Sequence, residues 1–221
     1  QMKPTGEGKL RIMILAEAPG KTEDEQGIQL IGDAGQYLRS ELASLGIDLD
    51  RDCWKSNVVR CRPPNNRKPT NHEIECCRRE TWQQVREYKP KAIWLLGSVA
   101  VKSFFWDFEQ GEPSINRWRG WYMPNEEFGC HVTSTYHPSY LIRNPKDQGL
   151  KFVFHQDIAN AVKNLNRPFP KLCKPLVHKL TNKNDIDTIL RQANEDNRIF
   201  TFDYETTGLK PYREGHKIVY S

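Results

Sequence analysis

Apolar side chains along this chain gather in short dense runs, separated by stretches in which they recur at helical spacing. Lys9 to Leu15 (KLRIMIL) is a strand-sized run, closed by the tight loop Ala16-Glu17-Ala18-Pro19-Gly20. Residues 33–45 put Leu38, Leu42 and Leu45 on one helical face, with Gly46 as the stop. Ser56 to Val59 reads as a second strand, leading into a loop that contains Pro63, Pro64 and Pro69. Thr70-Asn71-His72-Glu73 has the form of a capping box and predicts a helix running to the neighbourhood of Tyr88. Ala92 to Leu96 is a continuous apolar run, a buried third strand, followed by a helix from Gly97 through Phe105. Cys130 to Thr135 gives a fourth strand, ended by Tyr136-His137-Pro138-Ser139, and residues 150–163 give a closing helix.

Strands alternating with helices in this way predict an α/β fold: a four-stranded, mostly parallel sheet covered by helices on both faces. Ligands of such sheets bind beyond the carboxyl ends of the strands. Glu17, Asn57 and His137 stand at those ends, and a carboxylate, an amide and an imidazole in one cleft make a hydrolytic site. Taken singly, each also fits a plainer role, as a turn residue, a backbone-bonding amide and a core histidine. Arg167-Pro168-Phe169-Pro170-Lys171 then breaks the pattern as a stiff, basic linker. A short strand over residues 176–180, a helix opened by Asn184-Asp185 and a strand over 199–204 follow. The organisation expected is a domain over 1–165, a linker over 166–176 and a fragment over 177–221 too small to fold alone.

Composition narrows the class. The 37% hydrophobic and 10% aromatic content supports a packed core and excludes a disordered chain. No apolar run reaches membrane-spanning length and no signal-like leader opens the chain, so a cytoplasmic protein of a bacterial or phage-infected cell is expected. Six scattered cysteines fit free thiols or a metal role better than bridges. The net charge of +5 hides a contrast: residues 1–50 carry 5 basic and 9 acidic side chains, residues 51–100 carry 11 and 5. Arg60, Arg62, Arg67 and Lys68 fall within nine residues that hold no acid, which points to a polyanion such as DNA. A merely solvated loop fits the charge equally well.

Four segments together are more specific. Residues 16–35 (AEAPGKTEDEQGIQLIGDAG), 57–64 (NVVRCRPP), 66–67 (NR) and 136–143 (YHPSYLIR) resemble the family 4 uracil-DNA glycosylases, in the same order. The resemblance spans residue 9 to about residue 163 and implies a three-layer α/β/α sandwich around a four-stranded parallel sheet. It implies that Asn57 reads the edge of a flipped uracil, that His137 steadies charge on the departing base, and that Glu17 places the attacking water. Ala18, Pro19, Gly20, Glu23 and Leu30 fall on base-pocket positions, Leu141 on that of a wedge, and Ser139 and Arg143 on DNA-contacting ones. No cofactor is needed for base excision. Cys61 and Cys77 match two of the four thiolates that hold a [4Fe–4S] cluster in this family. Two thiolates cannot hold a cubane, so a cluster is expected only if a further Cys pair precedes Gln1 in a parent protein.

One departure bears on activity. Where the family has Gly-x-Pro-Phe, this chain has Gly27-Ile28-Gln29-Leu30, which removes an aromatic face worth about 1–3 kcal/mol of base stacking. A second reading follows from it: a DNA-binding accessory module that does not turn over. Farther on, Phe202-Asp203-Tyr204-Glu205-Thr206-Thr207-Gly208-Leu209 is similar to the first motif of the DEDD 3′–5′ exonucleases, whose carboxylates hold Mg²⁺ or Mn²⁺. Asp203 and Glu205 would be its metal ligands, in an incomplete site. A glycosylase-like domain ahead of such a motif is similar to the front of a phage or bacterial family A DNA polymerase. DNA and downstream exonuclease and polymerase domains are the partners this implies.

Overall fold

A computed structural model describes residues 1–106, 113–170, 182–196, 205–206 and 218–219. The chain divides into two compact units, Gln1–Leu172 and Cys173–Ser221.

In the first unit β1 (Ile12–Ala16) leads into α1 (Lys21–Gln26), α2 (Asp33–Ser44) and the single turn α3 (Leu49–Asp52). Asp48 caps α3, its carboxylate accepting from the backbone N–H groups of Asp50 and Arg51. The next strand, β2 (Cys53–Asn57), starts three residues earlier than predicted and ends two earlier. Lys55 in its middle disguises it, yet that side chain is buried because its ammonium pairs with Asp50. The helix α4 (Asn71–Tyr88) opens with the expected capping box: Thr70 Oγ1 accepts from Glu73 N–H at 3.3 Å, and Thr70 N–H donates to Glu73 Oε2 at 2.7 Å. Then come β3 (Ala92–Leu96), α5 (Gly97–Phe105), α6 (Ile115–Trp118), β4 (Tyr122–Asn125), β5 (Cys130–Thr135), α7 (Pro138–Arg143) and α8 (Gln148–Lys163).

The sheet has five strands rather than the four expected, in the order β2-β1-β3-β5-β4. The first four in that order are parallel, and β4 adds an antiparallel edge on β5, with Tyr122 opposite Thr133 and Asn125 opposite Cys130. Pro124 conceals β4 in the sequence, because proline is tolerated only where a strand has a free edge. The opposite edge is partly covered as well. Thr5 and Lys55 exchange backbone hydrogen bonds of 3.0 and 2.7 Å, laying the N-terminal segment along β2.

Alternation along the central strands feeds two cores. Ile12, Ile14 and Ala16 of β1, with Trp94 and Leu96 of β3, pack against Leu38 and Leu42 of α2 and Phe154 and Ile158 of α8. Met13, Leu15, Ile93 and Leu95 point the other way, onto Ile74 and Val85 of α4 and Val99, Ala100 and Phe104 of α5. Helices on both faces make the three-layer sandwich. No helix among the described residues is long and apolar enough to cross a membrane.

In the second unit, α9 (Lys183–Glu195) is capped by Asn182, whose side chain accepts from Asn184 N–H at 2.9 Å. The two-residue strands β6 (Glu205–Thr206) and β7 (Ile218–Val219) pair antiparallel. Asp203 and the strands expected over 176–180 and 199–204 fall wholly or mostly outside the described residues, and Glu205 is described in its backbone alone.

Candidate active site

The parallel strands all present their carboxyl ends to one edge, and β1 has β2 on one side and β3 on the other, which is where a crevice opens in such sheets. A cavity of about 400 Å³ lies there. Glu17, Asn57 and His137, distant in sequence, all line it, as do Ala18, Pro19, Gly20, Glu23 and Leu30. Of the cationic and helix residues, Arg67, Ser139 and Arg143 reach its wall.

Asn57 closes β2 opposite Ala16 of β1 and is buried. Its Nδ2 donates to Gln29 Oε1 at 2.5 Å, and Gln29 Nε2 donates in turn to the Lys3 carbonyl at 3.2 Å. Gln29 was not singled out as a site residue by sequence reasoning. The signal was present in the departure from Pro-Phe, but only the fold shows that it sits against Asn57.

His137 is the N-cap of α7, and its Nδ1 accepts from Ser139 N–H at 3.2 Å, with Ser139 Oγ at 2.8 Å. A backbone N–H can only donate, so Nδ1 carries no proton and the neutral ring bears its hydrogen on Nε2. Burial pushes the imidazole pKa down to about 4, with the nearby Arg143 charge acting in the same direction. His137 is therefore a neutral donor at physiological pH. Gly97, at φ 86°, makes room behind it: a Cβ there would stand 2.8 Å from His137 Cβ.

Glu17 follows β1, half-buried. Burial raises its pKa above the ordinary value, while Lys68 and Arg143 pull it partly back. Glu23 has a supporting role that its sequence position did not disclose. Its Oε1 accepts from the N–H groups of Ile31 at 3.1 Å and Gly32 at 2.8 Å, anchoring the turn that carries Leu30. Leu30 itself is 5% exposed and adopts φ 53°, and Gly35 permits this turn, since a Cβ there would overlap the Leu30 carbonyl.

Two expectations need correction. Leu141 is 1% exposed and belongs to the core between sheet and helices, so it cannot be the wedge; Tyr140 at 44% and Ile142 at 39% are its exposed neighbours. Nor do the four cations of the basic loop act alike. Arg60 turns away from the cavity, pairing with Glu80 at 2.5 Å and donating to the Met2 carbonyl at 3.3 Å. Arg62 donates to Asn66 Oδ1 at 2.6 Å, and Arg67 makes a two-pronged pair with Glu73 at 2.7 and 2.8 Å. Lys68 is exposed and close enough to act on Glu17.

Cys61 is an exposed free thiol, and Cys77, on α4, is a partly buried one. Two thiolates leave half of a cubane without protein ligands, and among the described residues no group of three or more His, Cys, Asp or Glu side chains is placed to hold a metal ion. The described residues supply two of the four thiolates that a [4Fe–4S] cluster takes.

A doubly covered sheet defines an α/β protein, and the carboxylate, amide and imidazole in the cavity at its carboxyl edge are groups that hydrolytic chemistry can use. Comparison with known families makes this specific. Residues 4–163 match the model of the uracil DNA glycosylase superfamily, and the chain belongs to that superfamily. A type-4 uracil-DNA glycosylase of Thermotoga maritima is 40% identical over 159 residues, covering 71% of this chain and 79% of that protein. One of Pyrobaculum aerophilum is 37% identical over 156 residues, covering 70% and 78%. A DNA polymerase of Bacillus phage SP01 is 31% identical over 147 residues, 66% of this chain but 15% of that protein.

Proposed function

We propose that this chain removes uracil from DNA by hydrolysing the N-glycosidic bond of a flipped deoxyuridine. The observation that carries the reading is the meeting of Glu17, Asn57 and His137, from three separate strand ends, in one cavity. Asn57 offers an acceptor for uracil N3–H and a donor for O4. As the C1′–N1 bond breaks, its electron pair passes into the base, and the Nε2–H of neutral His137 donates to the oxygen where the charge gathers. Glu17 orients water toward the cation-like C1′ and accepts its proton as the new C–O bond forms. Water is the sole co-reactant, and the bond cleavage itself needs no cofactor.

Leu30 favours a second reading, in which the fold is kept as a DNA-binding module without turnover. One assay separates the two. A uracil-containing oligonucleotide incubated with the protein and treated with alkali breaks at the uracil under the first reading. No cleavage at enzyme excess, with binding retained, supports the second. The similarity to a phage polymerase, with the exonuclease-like residues near 203, supports placing this domain ahead of an exonuclease and a polymerase. A parent gene without a polymerase would reject that placement.

A further inference from the structure

Asn57 can tell uracil from cytosine only if its amide is held one way round. Uracil presents a donor at N3 and an acceptor at O4, while cytosine presents an acceptor at N3 and a donor at N4. An asparagine amide is nearly symmetrical in shape, and a half-turn about its last torsion exchanges oxygen and nitrogen at little steric cost. Flipped, it would read cytosine. We infer that Gln29 is the specificity-determining positioning residue that forbids this half-turn, as the middle of a relay from the Lys3 carbonyl to the Asn57 amide.

Each link has its direction set by the one before. The Lys3 carbonyl can only accept, so the group that Gln29 turns toward it must be Nε2, at 3.2 Å. That leaves Gln29 Oε1, which can only accept, facing Asn57. Asn57 must then offer Nδ2 to it, which fixes Oδ1 and the second Nδ2 hydrogen as the atoms left for a base. Reversing Asn57 would set two carbonyl oxygens against each other. Gln29 is 1% exposed and Asn57 2%, so the two opposed oxygens would be buried against each other at a high cost. The outer end of the relay is itself fixed. Gln29 N–H donates to Thr5 Oγ1 at 3.2 Å, and Thr5 is bonded to Lys55 of β2 through both backbone groups. Gln29 touches neither sugar nor water in this scheme; it acts only through Asn57.

This inference rests on the uracil reading of the cavity, and its test keeps the two apart. Excision of uracil and of cytosine from otherwise identical oligonucleotides is measured for the native protein, Gln29→Leu and Gln29→Glu, with melting curves to confirm folding. Gln29→Leu removes the acceptor that faces Asn57 and is expected to lower the uracil-to-cytosine ratio by about tenfold to a hundredfold. Gln29→Glu keeps an oxygen facing Nδ2 and, in the protonated form that burial favours, donates from the other to the Lys3 carbonyl, so the ratio is expected to stay near the native value. A role in packing alone predicts the opposite order, because a buried carboxyl disturbs the site more than leucine does. An unchanged ratio in Gln29→Leu, or an equal loss in both variants, overturns the relay. If the native protein excises no uracil, the functional reading fails and the relay is read by NMR instead. The Asn57 side-chain N–H signals, assigned by their loss in Asn57→Ala, are expected to include one slowly exchanging proton that moves in Gln29→Leu. Signals that do not respond overturn it.

Discussion

Asn57 and His137 take their orienting hydrogen bonds from buried or backbone groups, whereas Arg67 and Lys68, a short distance along the cavity rim, sit on an exposed proline-rich loop. The partner of Arg67 is Glu73, and although the pair is two-pronged, solvent and salt reach it and screen it. Under the proposed function the two regions divide the work of binding a flipped nucleotide. One keeps fixed donors and acceptors in place before any base arrives, so no reorganisation is needed in the transition state. The other presents exposed cations, and under the proposed function a phosphate competes with Glu73 for Arg67. A rigid, nearly neutral floor and an exchangeable charged rim suit an enzyme that must grip any sequence but react with one base.

The sharpest way to break this division is to remove the donor from the floor. His137→Ala is expected to lower the single-turnover excision rate by about 100- to 1,000-fold while leaving DNA affinity within a few-fold of native. Equal losses in both would mean that floor and rim are not separable. The same imidazole also ties stability to pH. Its pKa of about 4 in the fold lies below the ordinary 6.5, so the unfolded chain takes up the proton first. Stability is full above 6.5, is lost as pH falls toward 4, and changes no further from this group below that. The loss is about 3 kcal/mol, and His137→Ala should abolish it in urea titrations between pH 7 and 4.

The same contrast explains what could be read ahead of the structure. Runs such as Ala92 to Leu96 and the Thr70–Glu73 capping box carry their structure locally, and both elements occur with the bounds their pattern gives. The elements that were missed depend on partners far along the chain. Lys55 is tolerated in a strand because Asp50 meets it, and Pro124 because β4 has only one neighbour. Leu141 sits at the wedge position of the motif, but the turn of α7 rotates it into the core and leaves Tyr140 and Ile142 outside. Gln29 was visible only as an oddity. Its meaning came from Lys3 and Asn57, 26 and 28 residues away in the chain.

Glu17 lies between the two regions, raised in pKa by burial and lowered by the rim cations. Water activation needs its ionised form, so excision should fall about tenfold per pH unit on the acid side of its pKa. That acid limb is expected above the ordinary 4.5 of a glutamate, and His137, at about 4, titrates too low to set it. Lys68→Ala removes a charge that favours the carboxylate and should move the limb to higher pH. A limb that stays in place would mean that the rim does not reach the floor electrostatically.

The smallest expected effects separate the cations from one another. Lys68 carries a charge toward the cavity, and Lys68→Ala should reduce the slope of log affinity against log salt by about 1. Arg60, engaged by Glu80 and the Met2 carbonyl, should leave that slope unchanged when replaced by alanine and should instead lower the melting temperature. Glu73→Gln keeps a capping-box residue on α4 but frees Arg67, so DNA affinity should rise a few-fold, with a steeper salt dependence and no change in excision rate at saturating DNA. If Glu73→Gln altered the rate instead, the acid would belong to the chemistry of the floor, and the rim would no longer be a separate electrostatic device.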